Sequence, residues 1–173
     1  MADKEGLEAA IEAKMDGNDI YIETCPQYLE FTCDVYKRED GRNFICSPPM
    51  KGQESQDALW KALKTGAIDT VATDHCPFQS YEKDWGKDDF TKIPNGCAGV
   101  ENLYPYMLSA ANEGKLSFNR VVELCSFNPA KIFGCTQKGS IAVGKDADIV
   151  IYDTEKEFTI SVDNMHSDYD HTI

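Results

Sequence analysis

Positive charge is scarce in this chain: its 173 residues carry 17 lysines and arginines against 30 aspartates and glutamates, a net charge of −13. A surface that tracks phosphates would have to be built against that field, which speaks against nucleic acid as a partner. Long apolar runs are missing too, since none approaches the roughly 20 residues that cross a bilayer. Met1-Ala2-Asp3-Lys4-Glu5 lacks the charged-then-apolar order of a signal peptide. A cytoplasmic protein without a membrane partner is expected. Paired cysteines are also absent. Cys25, Cys33, Cys46, Cys76, Cys97, Cys125 and Cys135 are odd in number and never spaced C-x-x-C, so reduced and mostly buried thiols are expected. Only Cys25 and Cys33 come near each other, too little for a zinc site of closely spaced ligand pairs. What is present is a normal 42% hydrophobic content, enough for one domain with a real core or for pieces of two.

The first half alternates helix and strand. Asp3 is placed to cap a helix whose apolar positions Leu7, Ala10, Ile11 and Met15 have helical spacing, and Gly17 stands where a left-handed terminal residue is usual. Asp19 to Thr24 follows as a β-branched and aromatic strand stopped by Cys25-Pro26. A second unit predicts a helix capped by Ser55 through Leu59, Ala62 and Leu63, closed by Gly66, with Ile68 to Thr73 as its strand. Helix then strand, twice, points to a parallel α/β sheet.

A long aperiodic stretch, His75 to Gly99, reads as a loop of the length that is usually functional or disordered. Three helices are predicted behind it: Val100 to Glu113, Phe118 to Cys125 behind Ser117, and Ala130 to Phe133 behind Asn128-Pro129. After Gly134 the pattern turns β, with runs 139–144 and 147–152 around the turn Lys145-Asp146 and a possible third strand over 157–162. That tail predicts a small antiparallel unit distinct from the α/β part.

In parallel α/β barrels, functional groups sit in the loops at the C-terminal ends of strands. The second strand ends in Thr73-Asp74-His75. Asp74 there has two readings: a carboxylate that ligates a metal and shuttles a hydroxide proton, or a cap for the loop that follows. His75 points to the opposite strand face and is expected to pack or to support rather than to ligate the same ion. Ser47-Pro48-Pro49 is either a rigid turn or a fixed backbone that presents amides and carbonyls to a ligand. Asn95-Gly96 behind Pro94 is by itself a turn signal.

An ordered set of motifs resembles the dihydropyrimidinase and hydantoinase family of cyclic amidohydrolases. These are Glu23-Thr24-Cys25-Pro26-Gln27-Tyr28-Leu29, Cys46-Ser47-Pro48-Pro49, Ala72-Thr73-Asp74-His75-Cys76-Pro77-Phe78, the run from Gly86 to Gly96, and the run from Asn128 to Gly134. The tail from Gly139 to Val150 is similar to the wider amidohydrolase superfamily's return to a β-sandwich. The resemblance implies an incomplete TIM barrel: residues 1–134 would hold the last two barrel strands and C-terminal helices, and residues 135–173 part of a composite β-sandwich. It implies a site with two zinc ions, in which Asp74 matches an aspartate that binds metal and accepts the hydroxide proton. Ser47 and Asn95 match residues whose backbone groups hold the ring amide of a small-molecule cyclic amide or imide.

The family's remaining ligands, four histidines and a carboxylated lysine, would come from earlier strands. The chain has only three histidines, His75, His166 and His171, so on this reading it is a fragment that does not fully bind the metals and has no activity alone. Thr73-Asp74-His75 argues against a non-catalytic relative such as the collapsin response mediator proteins. Phe90 to Gly96 favours the hydantoinase branch over allantoinase and dihydroorotase. Two barrel strands without their neighbours, with Ile20, Ile22, Ile68 and Val71 in need of cover, predict self-association, unless the helices from Val100 to Phe133 fold over the sheet instead.

Overall fold

A computed structural model describes residues 1–172. Helix α1, Lys4–Met15, begins as expected: the Asp3 carboxylate accepts from the Gly6 amide at 2.7 Å, and Gly17 lies beyond the helix end at a left-handed φ of 88°. Strand β1 is Glu23–Thr24, followed at once by the five-residue helix α2, Pro26–Glu30, with its proline in the first turn. Helix α3, Gln53–Thr65, leads to strand β2, Thr70–Val71, and Gly66 ends the helix at φ 84°. The two strands pair in parallel, Glu23 with Thr70 and Thr24 with Val71. Parallel α/β order is therefore present, but the strands are shorter than their β-rich sequences imply.

Two expectations for this half are corrected. The cap of α3 is Gly52, not Ser55; Ser55 lies inside the helix and its hydroxyl accepts the Lys4 amide at 3.2 Å, tying α3 to the start of α1. The apolar strand residues are not left uncovered. Ile22, Val71 and Ile68 are buried in one core with Leu7 of α1 and Leu59 and Leu63 of α3.

The second half supplies the cover. Helix α5, Leu103–Asn112, and helix α6, Phe118–Val122, lie where the sequence predicts helices, and the Ser117 hydroxyl caps α6 by accepting from the Arg120 amide at 3.1 Å. The chain continues through a π-type turn, Glu123–Phe127, into helix α7, Asn128–Ile132. Val121 and Leu124 are fully buried in the common core. Side chains from this layer also reach the backbone ahead of β2. The Arg120 guanidinium donates to the carbonyls of Leu63, at 2.8 Å, and Ile68, and the Asn128 amide donates to the Asp69 carbonyl at 2.8 Å. On the other side, the N-terminal ammonium donates to Glu23 and the Thr24 hydroxyl donates to the Met1 carbonyl at 2.8 Å. Folding-over by the C-terminal helices is thus the observed arrangement, with Arg120 and Asn128 bonded to the carbonyls just before β2 and the N-terminal ammonium to that of Glu23 on β1.

The antiparallel unit expected after Gly134 is not formed: among the described residues 135–172 the only regular element is a single 3₁₀ turn, Val162–Asn164. Ile141, Val143, Val150 and Ile151 are exposed. A β-ribbon exposed on both faces buries too little apolar area to offset the entropy of ordering it. The last segment does dock. Tyr169 is buried against the His75 ring at 5.6 Å between centroids, and Thr172 accepts from the Asn102 amide at 2.8 Å.

Glu101 anchors that segment by accepting from the His166 ring and amide and from the Ser167 amide and hydroxyl. The His166 hydrogen bonds hold the Glu101 carboxyl down, from 4.5 to about 2. A depressed carboxyl contributes stability that is present above its unfolded pKa and is lost as pH falls toward the folded one. Docking of residues 165–172 is therefore expected to be intact at pH 5 and to loosen between about pH 4.5 and 2. The NMR shifts of Tyr169, followed through that range, check this; a transition above pH 5 would count against it.

Candidate active site

Asp74 lies three residues beyond the C-terminal end of β2, exposed, at a left-handed φ of 48°. Aspartate is among the few residues that tolerate this region, and such outliers gather at functional sites. Its carboxylate makes no hydrogen bond to the loop that follows among the described residues, so capping is not what it does. Its charge reaches the buried thiols beneath. Burial is the chief cause that raises Cys25 to about 12; the N-terminal ammonium opposes this and the Asp74 carboxylate adds to it.

Three segments meet beside Asp74. The peptide run 75–76 pairs with 97: His75 bridges Cys97, and the Cys76 amide donates to the Cys97 carbonyl at 3.1 Å. The run 95–97 in turn pairs with 45–47, the Gly96 amide donating to the Ile45 carbonyl at 3.0 Å. Across that seam the Ser47 hydroxyl donates to the Asn95 side-chain carbonyl at 3.1 Å. Asp74, Ser47 and Asn95 are all exposed and belong to neighbouring segments at one end of the parallel pair. Of the three residues singled out from sequence, Ser47 and Asn95 are in contact, and Asp74 stands beside His75, which bridges to the segment that carries Asn95.

Beneath Ser47 lie the buried side chains of Tyr28 and Cys46. The Ser47–Pro48 peptide bond is cis, and the Pro48 carbonyl accepts from the Tyr28 hydroxyl at 3.0 Å and from the Cys46 thiol at 3.3 Å. Cys46 is held below the ordinary thiol range, first by its hydrogen bond with Cys97, against burial, and then by Tyr28 and the Lys83 ammonium. Its partner Cys97 is pushed up by the same hydrogen bond and by burial. The seven cysteines are all free thiols, with Cys25, Cys46 and Cys97 buried and Cys33, Cys76 and Cys135 exposed.

His75 lies four residues beyond β2 and behind the left-handed Asp74, so the strand alternation expected from sequence does not set its direction. Its Nδ1 accepts the Gly99 and Val100 amides at 3.1 and 3.2 Å, which fixes the turn into α5. Sequence reasoning missed Lys83, on the short helix α4, Ser80–Lys83, inside what reads as a loop. It is fully buried, and its ammonium donates to the carbonyls of Ile45, Pro94 and Gly96. No periodic signal marks it, because its partners are backbone carbonyls 11 to 38 residues away.

Gly96 shows how closely these segments approach. A Cβ there would stand 2.3 Å from the Cys76 carbonyl oxygen and 2.7 Å from Cys76 Cβ. Gly96→Ala is expected to part the Asn95 segment from the Asp74 segment and to destabilise the chain by about 1–3 kcal/mol. Urea unfolding with an unchanged midpoint would count against this close packing.

As to a metal, no group of three or more His, Cys, Asp or Glu side chains among the described residues could hold an ion. A catalytic zinc site takes three protein ligands, and Asp74 alone does not fit that role. Among the described residues the side chains do not by themselves make the centre that the resemblance implies.

The amidohydrolase family, a generally metal-dependent group, matches residues 11–172, and the chain belongs to it. The chain is 41% identical to a D-hydantoinase from Ralstonia pickettii over 98% of its own length. Among solved structures it resembles the dihydropyrimidinase of Brevibacillus agri, with a TM-score of 0.94 and 41% identity over 99% of the chain. It also resembles a D-hydantoinase from a Thermus species, with a TM-score of 0.94 and 39% identity over 99%. The chain spans about 38% of the length of each of these relatives. No helix among the described residues is long and apolar enough to cross a membrane.

Proposed function

We propose that this chain carries the general base and the ring-binding backbone of a cyclic amidohydrolase of the dihydropyrimidinase and hydantoinase type. The observation that supports it most is the contact of Ser47 with Asn95 on segments linked, through the His75–Cys97 bridge, to that of Asp74 beyond the C-terminal end of β2. That is the end at which α/β barrels carry their chemistry. On this reading β1 and β2 are the last two strands of the barrel, residues 1–134 its C-terminal part, and residues 135–173 a portion of the adjoining β-sandwich. The alternating apolar residues of the tail, such as Ile141 and Val143 or Ile149 and Ile151, fit strands that gain their partners from elsewhere.

The reaction is addition of water to a ring carbonyl, followed by cleavage of the ring C–N bond, with the nitrogen leaving protonated. Exposed Asp74, whose carboxylate has no hydrogen-bond partner among the described residues, takes the proton from the attacking water and returns it to the leaving nitrogen. Amide and carbonyl groups around Ser47 and Asn95 pair with the ring amide and hold its carbonyl over Asp74. A metal, which we take to be zinc, would lower the pKa of that water when bound; among the described residues no group of three or more His, Cys, Asp or Glu side chains supplies its ligands. The names of the relatives favour this branch over allantoinase and dihydroorotase. Thr73-Asp74-His75 favours an enzyme over a non-catalytic assembly protein.

A chimera tests the reading. The matching 38% of the Ralstonia pickettii D-hydantoinase is exchanged for this chain, and opening of hydantoin and dihydrouracil is measured. A folded chimera that opens either ring supports the proposal; a folded, metal-loaded chimera without activity overturns it. The isolated chain is expected to open neither ring with added zinc.

A further inference from the structure

Lys83 is the one fully buried lysine among the described residues, and it lies beneath the candidate site rather than in it. Its ammonium donates at 2.9 Å to the Ile45 carbonyl, at 2.6 Å to Pro94 and at 2.8 Å to Gly96, so its three protons meet three acceptors. The Phe78 ring stands over it, 5.3 Å from Nζ to centroid. Burial depresses its pKa, against the neighbouring thiols Cys97, Cys46 and Cys76. A buried cation held by carbonyls is an expensive way to fill space, since apolar packing of the same volume does as well or better. What an apolar side chain would not do is orient carbonyls.

The three carbonyls lie on both segments that meet at the seam. Ile45 is two residues before Ser47, and Pro94 and Gly96 flank Asn95 on either side. The carbonyls of 94 and 96 are bonded to the ammonium, while that of Asn95 between them is not and meets the weak donor Cys76 Sγ at 3.7 Å. One ammonium thus fixes both the spacing of the two segments and the backbone on either side of Asn95.

We propose that Lys83 is a positioning residue that orients the Ser47 and Asn95 backbone groups for a cyclic amide. This rests on the ring-binding role given to those two residues above. The clamp itself is tested first, on the 173-residue chain, by amide hydrogen exchange of the wild type, Lys83→Met and Lys83→Gln. Gly96 and Cys76 amides, which cross the seam, are expected to exchange at least about tenfold faster in Lys83→Met, while Asp69 and Ala72 amides between the strands change less than about twofold. Lys83→Gln, which keeps donors without charge, is expected to lie between; it also decides the matter if Lys83→Met does not fold. Equal acceleration everywhere would make Lys83 a plain stabiliser and overturn the proposal, as would no change at the seam.

The second arm is kinetic, in the hydantoinase chimera. Lys83→Met is expected to raise KM for hydantoin at least about tenfold while kcat falls less than about threefold, because ring binding is disturbed and the base is not. An unchanged KM in a folded chimera overturns the positioning role. If the chimera is inactive with Lys83 in place, the proposed ring-opening function fails, and the exchange measurement alone decides the clamp.

Discussion

Replacing Asp74 with asparagine in the chimera is expected to lower kcat for ring opening by roughly 10³- to 10⁴-fold, with the chain still folded. Asparagine is the informative substitution. Asp74 occupies a left-handed backbone conformation at φ 48°, which asparagine accepts almost as readily as aspartate, whereas alanine adds about 1–2 kcal/mol of strain. A loss seen with Asp74→Asn is therefore a loss of the ionised carboxylate and not of the loop's shape. Asp74 is exposed and its carboxylate has no hydrogen-bond partner among the described residues, so the melting temperature should move little, within the small range usual for surface changes. Removal of a ring-binding group would raise KM, while removal of the base lowers kcat. A kcat within tenfold of the parent chimera would remove Asp74 from the chemistry.

Much of this site could be read in the sequence because its parts are local signals. Thr73-Asp74-His75 directly follows a β-branched run, and Ser47-Pro48-Pro49 and Pro94-Asn95-Gly96 are turn-formers, so each announces a strand end or a fixed bend. Helix ends were legible for the same reason at Asp3, Gly17, Gly66 and Ser117, where a side-chain cap or a positive φ is required. Ser55 misled because its hydroxyl serves a distant amide, that of Lys4, and a contact across 51 residues leaves no local mark. The helix Pro26–Glu30 was hidden in what reads as a loop, since five residues are too few to show a helical period.

Lys83 is the most consequential omission, and its case is general. A lysine in a segment rich in Lys, Asp and Gly reads as solvated surface, and only the fold turns it inward onto three carbonyls. The tail failed in the other direction. Its alternation of apolar and polar residues is a true strand signal, but strands form only where a partner strand and a covering layer exist. Among the described residues that cover is absent, so the pattern stays exposed.

That exposure alters how self-association is expected to arise. Open edges at β1 and β2 would have driven it, but Met1 bonds Glu23 on β1, Arg120 and Asn128 bond the residues just before β2, and Ile22, Ile68 and Val71 are buried within the chain. The uncovered apolar surface lies instead along 141–162, where Val143 and Ile151 stand almost fully exposed and Ile149, Val150, Phe158 and Val162 more than half so. Beside them Val122, Phe133, Ile141, Ile149 and Val150 line a hollow of about 590 Å³. Apolar surface on this scale, on an extended segment with most of its amides unbonded, is what a second copy of the same segment can pair with and cover. The purified chain is therefore expected to form dimers or larger species through the tail, and its thermal midpoint should rise with protein concentration, because only an associating system obeys mass action in this way. Ile149→Lys together with Ile151→Lys should restore the monomer by placing charge at the contact, while a change on β1, such as Glu23→Lys, should leave association intact. Sedimentation that shows a compact monomer at every concentration, with a fixed midpoint, would end this expectation and mean that the tail stays solvated on its own.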